Sequence, residues 1–465
     1  MSKSKTMTTD MTKGKPLKLI LLFALTVLGG NVCQQLYTVV DTAVLGKGIG
    51  MDALSSVGAV EWLIWMMTGL AVGFTEGFSI RMSQRFGAGD MKGLRQTIGQ
   101  SAVMSVLLMA LITLLSQLFA LPMVRFLNTP AGLQSGSLLY LRIIFGGLPL
   151  YMTYNLLAGI LRAMGDGRTP LIAIVTATFT NIALDLLFVI GFGWGIAGAA
   201  AATLIGQGIS IIVCALKLKT MKEIRLEKDD LRIRPALCGK LMLLGLPMAF
   251  QNLIIAVGGV TVQSVVNDCG EIFIAGFTAT NKLYGLLEIA ATSYGYAMVT
   301  YVGQNLGAGR GDRLKRGLRD MLGVSIGTAV LIGSLMVILG QEILKLFLDV
   351  NQTGADEALR IGYRYLCVMS IPLPVLYLLY IFRSFIQGVG NTWVPMLSGV
   401  SELVMRTGAA FLLPVLFGKE NIVFAEPLAW IGADVVLITA FLIMRRRVFA
   451  IDKAPESAAG ADGAS

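Results

Sequence analysis

Asn181 and Asp185 stand four residues apart in the stretch NIALDLLFVI, residues 181–190, inside a long apolar run. In a helix the two side chains share one face. A carboxylate at the centre of a bilayer costs about 2.5–3.5 kcal/mol on insertion scales, so its presence asks for a partner or a function. A second acid, Asp41, closes an earlier apolar run in LYTVVDTAVLG, and Thr203 lies in a third run after GWGIAG. Counting from the ends of these runs puts Asp41, Asp185 and Thr203 each about two helical turns from one membrane surface. Two carboxylates, an amide and a hydroxyl are the oxygen ligands that a proton or a hard monovalent cation uses. Carboxylates side by side titrate as one unit, and such a pair can exchange a proton or Na⁺ for another cation. The competing reading makes Asp41 and Asp185 helix caps or residues facing a wet vestibule.

These residues need a membrane-spanning scaffold, and the composition supplies one. Of 465 residues 55% are apolar and only 14% charged, against roughly a quarter charged in soluble domains. Apolar runs near 20 residues long, enough to cross a bilayer, recur about twelve times between residues 17 and 444. Long alternating stretches are rare, which argues against a β-barrel. The expectation is an all-α polytopic membrane protein. The net charge of +10 is explained by topology: with the N-terminus inside and the spans alternating, 29 of the 38 Lys and Arg fall in cytoplasmic segments, among them Arg162 and Arg383. That asymmetry predicts a bacterial cytoplasmic (inner) membrane protein with both termini in the cytoplasm. Nucleic acid is not an expected partner; the lipid bilayer is.

The chain repeats itself. QRFGAGDMKGLR (84–95) returns as QNLGAGRGDRLK (304–315), and RAMGDGRTP (162–170) as QGVGNTWVP (387–395). The offsets are 220 and 225, one duplication with a small insertion. Each Gly-Ala-Gly reads as a helix end followed by basic residues; neither copy has the Lys-Ser/Thr of a nucleotide loop. The boundaries predicted are a cytoplasmic tail over 1–16, an N-lobe over 17–216, a basic connector over 217–238, a C-lobe over 239–448 and a cytoplasmic tail over 449–465. With six spans in each, the lobes run in the same direction, related by a pseudo-two-fold axis along the membrane normal. The C-lobe counterparts of Asp41, Asn181 and Asp185 are about Thr261, Arg406 and Ala410, so the acids belong to the N-lobe alone.

Other groups are less specific. Glu402 and Arg406 are spaced to neutralise each other. Glu61, Glu76, Glu288 and Asp434 have no partner legible in the sequence; Glu288 is a candidate for the substrate cavity because its span lies beside the connector between lobes. Gln34, Tyr37, Tyr154 and Asn155 are further cavity candidates. The chain has no His, and its five Cys stand singly, which disfavours a Cys/His zinc site and histidine-based catalysis.

The stretches QQLYTVVDTAVLG (34–46), QRFGAGD (84–90), RAMGDGRTP (162–170), NIALDLLF (181–188), GWGIAGAAAATLIGQ (193–207), GLPMAFQNL (245–253) and VGQNLGAG (302–309) resemble the multidrug and toxic compound extrusion (MATE) transporters, of the superfamily that includes polysaccharide and lipid-precursor flippases. The resemblance implies two six-helix lobes around a V-shaped central cavity. It also implies export of amphipathic, often cationic compounds in exchange for H⁺ or Na⁺, with no other cofactor, no enzymatic activity and a monomer as the working unit. Asp41, Asn181, Asp185 and Thr203 match the family's N-lobe cation site, and Gln34 and Tyr37 match positions facing the N-lobe drug cavity. Two departures stand out. Thr26 occupies the place of a frequent first-helix proline, and Gln251 stands near an acidic position on the seventh helix of one branch, which points to the branch of the DNA-damage-inducible exporters. A flippase for a lipid-linked sugar or peptidoglycan precursor is the alternative function; a broad cationic cavity or spans beyond the twelve would favour it.

Overall fold

The computed structural model describes residues 9–127, 129–346 and 354–451; most of the expected 449–465 tail and the first half of the 1–16 tail lie outside the described residues. The N-terminal half builds α1 (Pro16–Gly48), α2 (Met51–Gly58), α3 (Glu61–Gly87), α4 (Met91–Phe126), α5 (Ala131–Gly146), α6 (Leu148–Ala163), α7 (Arg168–Asp185) and α8 (Gly195–Thr220). The C-terminal half builds α9 (Pro235–Asn267), α10 (Glu271–Gly307), α11 (Gly311–Leu344), α12 (Ala355–Ser370), α13 (Leu373–Val389), α14 (Trp393–Phe417) and α15 (Ala425–Phe449).

Among the described residues nine helices are long and apolar enough to cross a membrane, and eleven spans result when each of two bent helix pairs counts as one. The twelfth expected span corresponds to α10, whose 37 residues carry Lys282 and Glu288. The bent pairs are repeat equivalents: α5 meets α6 at 42° and α12 meets α13 at 47°. Pro149 in the first and Pro372 with Pro374 in the second remove amide donors at the break, so the helix cannot run through. The surface is apolar where lipid would lie, with Leu107, Leu118, Leu331 and Ile338 exposed on α4 and α11.

The two lobes meet along two seams. In one, α3 and α9 run antiparallel at backbone contact, Gly73 against Ala249 and Gly77 against Gly245, with Asn252 Nδ2 donating to Gly69 O at 2.9 Å. In the other, Asn31 on α1 donates to Ser293 on α10 at 3.2 Å. Beyond Asn31, α1 makes no hydrogen bond to the C-lobe among the described residues, and Gln34, Leu36 and Val39 are exposed. The exposed part of α1 thus lies at the end away from the basic loops, while the α3–α9 seam stays packed there, Trp62 against Gly259.

At the basic end the duplicated motifs form a reciprocal clasp. Both Gly-Ala-Gly copies end a helix as expected: Gly89 and Gly309 adopt φ of +73° and +63°, the left-handed turn that glycine makes without a Cβ penalty. The copies also touch each other. Gln84 Nε2 donates to Gly388 O of the other lobe at 3.2 Å, and Gln304 Nε2 donates to Ala163 O at 2.8 Å. A Cβ on Gly87 would sit 1.9 Å from Gln304 O, and one on Gly307 1.9 Å from Gln84 O. The N-terminal segment reinforces the clasp on one side only: Met11 N donates to Gln304 Oε1 at 2.8 Å, and Arg313 donates to Met11 O and Gly14 O.

Gly87→Val must therefore push the lobes apart at this end. We expect a loss of about 1–3 kcal/mol, the usual range for overpacking, read as a lower midpoint of thermal unfolding in detergent. A wild-type midpoint would show that the lobes do not meet here.

Candidate functional site

Asp41 lies two turns before the end of α1, Asp185 is the last residue of α7, and Thr203 sits on the third turn of α8. Directly after Asp185 the helix widens into a π-helical turn, Leu186–Gly191, a feature frequent at functional sites. The aromatic rings of Phe188 and Trp194, 4.8 Å apart, close the tight connection to α8. Helices α1, α7 and α8 pack as a triplet, so the three side chains converge.

The structure brings together all four residues of the predicted set. Asp185 is fully buried, and Asn181, Thr203 and Asp41 are 3%, 7% and 9% exposed. The carboxyl groups of Asp41 and Asp185 face each other, with the Asn181 amide beside Asp185. Tyr37, one turn before Asp41, shares a 2.9 Å hydrogen bond with Thr203 Oγ1, which ties α1 to α8. Among the described residues no cation is paired with either acid, and Asp41 Oδ1, both oxygens of Asp185 and both polar atoms of Asn181 are buried without a hydrogen-bond partner. Leaving a polar group so costs about 1–3 kcal/mol. A donor set of carboxylates, amide and hydroxyl fits a shared proton or a small hard cation.

Tyr140 on α5 and Tyr151 on α6 lie near the pair, Tyr151 against Gln207 on α8; Tyr140 and Gln207 escape the sequence reading, whereas Tyr151 reads there only as an aromatic compatible with an apolar pocket or ordinary packing. Gln207 carried a usable signal, since it follows Thr203 by four residues on the same helix face.

The cavity candidates do not form one cluster. Gln34 and Tyr37 lie on α1 within two turns of Asp41. Tyr154 packs on Ala158, Ala173 and Cys214 with its hydroxyl unpartnered, and Asn155 turns back to donate to Tyr151 O at 2.9 Å. Glu288 belongs to the C-lobe, where it accepts a hydrogen bond from Tyr380.

At the positions equivalent to the N-lobe pair the C-lobe has an ion network, although Asp434 on α15 is buried with Oδ1 unpartnered. Arg406, the counterpart of Asn181, bonds Glu402 and Glu426, each at 2.8 Å, and Glu402 also bonds Arg383 at 2.8 Å. The expected Glu402–Arg406 pair is thus present within a larger group. Arg383 corrects the charge count: it is buried on α13 rather than placed in a cytoplasmic loop, because Glu402 neutralises it. Gln251, near the acidic position of the other branch, is buried and accepts from Gln387 at 3.3 Å.

The sequence profile of the MatE family matches residues 27–187 and 247–412. The chain belongs to the MATE family. The profile covers both lobes and skips the connector. A probable multidrug resistance protein, YpnP of Bacillus subtilis, is 28% identical over 89% of this chain and 92% of its own. A probable multidrug resistance protein, NorM of Thermotoga maritima, is 24% identical over 90% and 89%. Among solved structures, a MOP superfamily transporter from Pyrococcus furiosus matches the fold with a TM-score of 0.87 at 22% identity, covering 98% of this chain and 100% of that one. This MATE chain is a multi-pass transporter by family, not an enzyme.

Removing one member of a buried ion group strands the others, at about 3–5 kcal/mol. Glu402→Gln should therefore lower the unfolding midpoint sharply, whereas Tyr37→Phe should cost only about 1 kcal/mol for its one hydrogen bond. Equal midpoints for Glu402→Gln and wild type would contradict the network.

Proposed function

We propose that the protein is a secondary multidrug efflux antiporter of a bacterial cytoplasmic membrane, exporting amphipathic, often cationic organic compounds in exchange for H⁺ or Na⁺. The observation that carries this reading is the facing pair Asp41 and Asp185, buried without a counter-cation on two helices of one lobe. Asp41 and Asp185 bind the coupling ion, and Asn181 and Thr203 complete its coordination. The names of the relatives YpnP and NorM support the substrate class.

The physical chain is short. An ion shared between Asp41 and Asp185 draws α1 against α7, and Tyr37 transmits the shift to α8 through Thr203. Gln34 and Tyr37 contact substrate on the same helix, so the cavity wall differs between the ion-bound and ion-free lobe. Coupling requires that the ion bind one conformation more tightly than the other, since equal binding to both would shift nothing. The basic loops and both termini face the cytoplasm in this reading, and one chain suffices as the working unit.

The test is efflux of a fluorescent cationic dye from vesicles containing purified protein, with a pH gradient and a Na⁺ gradient imposed separately. One gradient should drive dye movement, and Asp41→Asn or Asp185→Asn should reduce the rate at least tenfold. Unchanged rates in both variants would make the pair structural. Dye that moves under neither gradient would remove the antiport reading.

A further inference from the structure

The sequence left Glu76 without a partner and assigned Arg162 to a cytoplasmic loop. The structure places them together, both half-buried, against one residue of the opposite lobe. Tyr296 on α10 donates its hydroxyl to Glu76 Oε1 on α3 at 2.5 Å. The Arg162 guanidinium, on the last turn of α6, lies 5.2 Å from the centre of the same ring. One C-lobe tyrosine is thus gripped by an N-lobe anion and an N-lobe cation. Arg162 itself makes no ion pair among the described residues.

Their place in the fold makes this contact special. Residue 76 plus the repeat offset of 220 is residue 296, and residue 162 plus 225 is 387, so Glu76 faces its own repeat counterpart. Two equivalent positions that touch must flank the pseudo-two-fold axis. They also lie eleven residues along α3 and α10 from Gly87 and Gly307 of the clasp, about 16 Å at 1.5 Å per residue, close to the middle of a bilayer about 30 Å thick. A site on the axis at mid-depth is the one place that both faces of the membrane reach in turn as the lobes rock. Duplication kept the position but not the chemistry: the C-lobe offers neutral Tyr296 and Gln387 where the N-lobe offers Glu76 and Arg162.

We propose that Glu76 and Arg162 form the charge-recognition site for the transported compound. This rests on the efflux reading above and names the substrate class it takes: a flat aromatic compound with a positive centre, which pairs with Glu76 in place of the Tyr296 hydroxyl. Its ring takes the stacking partner that Arg162 uses in the closed lobe contact. A zwitterion adds a second bond, its carboxylate to the Arg162 fork. Opening of the basic end breaks the Glu76–Tyr296 contact and frees both charges toward the cytoplasm. Release at the other end re-forms it, so Tyr296 competes with substrate and helps expel it.

Binding to purified full-length protein tests this, with rhodamine 6G as the cationic probe and norfloxacin as the zwitterionic one. Glu76→Gln should weaken rhodamine 6G at least tenfold. Arg162→Gln should weaken norfloxacin by a similar factor and leave rhodamine 6G within twofold. Tyr296→Phe, which removes only the competing hydroxyl, should tighten rhodamine 6G severalfold, and its gain cannot arise from misfolding. Wild-type affinities in Glu76→Gln and Tyr296→Phe, in protein that still exports the dye, would overturn the site and leave the efflux reading standing. Wild-type protein that neither binds nor exports either probe would overturn both.

Discussion

Two carboxylates that face each other inside an apolar bundle must be accompanied. Asp41 and Asp185 have no arginine or lysine beside them among the described residues, in contrast to the C-lobe, where Arg383 and Arg406 balance Glu402 and Glu426. A network whose charges cancel internally is fixed in place, since any rearrangement strands a charge in low dielectric. A pair that needs a proton or a cation from outside is conditional on the ion. The same fold, used twice, thus holds a paired ion network in one lobe and an acid pair without a counter-cation in the other.

The response matters only if it reaches the interface between lobes. That interface is built from backbone: glycines on α3, α9 and α10 let the helices of the two lobes touch along a seam, and the paired Gln84 and Gln304 bonds close one end. Packed contacts of this kind are bistable rather than compliant, because glycine surfaces that fit at van der Waals distance lose their contact abruptly when they separate. Polar groups at the axis, Glu76, Arg162 and Tyr296, sit where that separation would begin. The N-terminal segment held by Gln304, Asn305 and Arg313 adds contacts to one side of the clasp, so the closed basic end is itself asymmetric.

Much of this was legible because membrane chains write their constraints in composition. Apolar runs mark spans, an acid within a run marks a site, and a repeat fixes which lobe is which; Asp41, Asn181, Asp185 and Thr203 converge as the depth count expects. What stayed hidden depends on distances between elements that sequence spacing does not encode. Arg383 and Arg162 look like loop cations because each precedes a Gly-rich connection by a few residues, yet each is drawn inward by a partner on another helix. Tyr140 and Tyr151 look like ordinary packing aromatics, and only the packing of α5 and α6 on α8 carries them towards Asp41. The glycine motifs end helices, as their spacing predicts; that they meet across the axis follows from the tertiary fold alone. Thr26, in place of a proline, lies within an unbroken α1, so this helix keeps the ladder bond a proline would lose, and its hydroxyl donates to Phe23 O at 2.7 Å.

The central claim is that occupancy of the Asp41–Asp185 pair by an ion and binding of substrate oppose each other. The most direct measurement is the affinity of purified protein for a cationic dye, titrated once against pH at fixed Na⁺ and once against Na⁺ at fixed pH. The account predicts that one of the two titrations weakens the dye progressively and that the dependence disappears in Asp185→Asn. Dye affinity indifferent to both ions in the wild-type protein would contradict it.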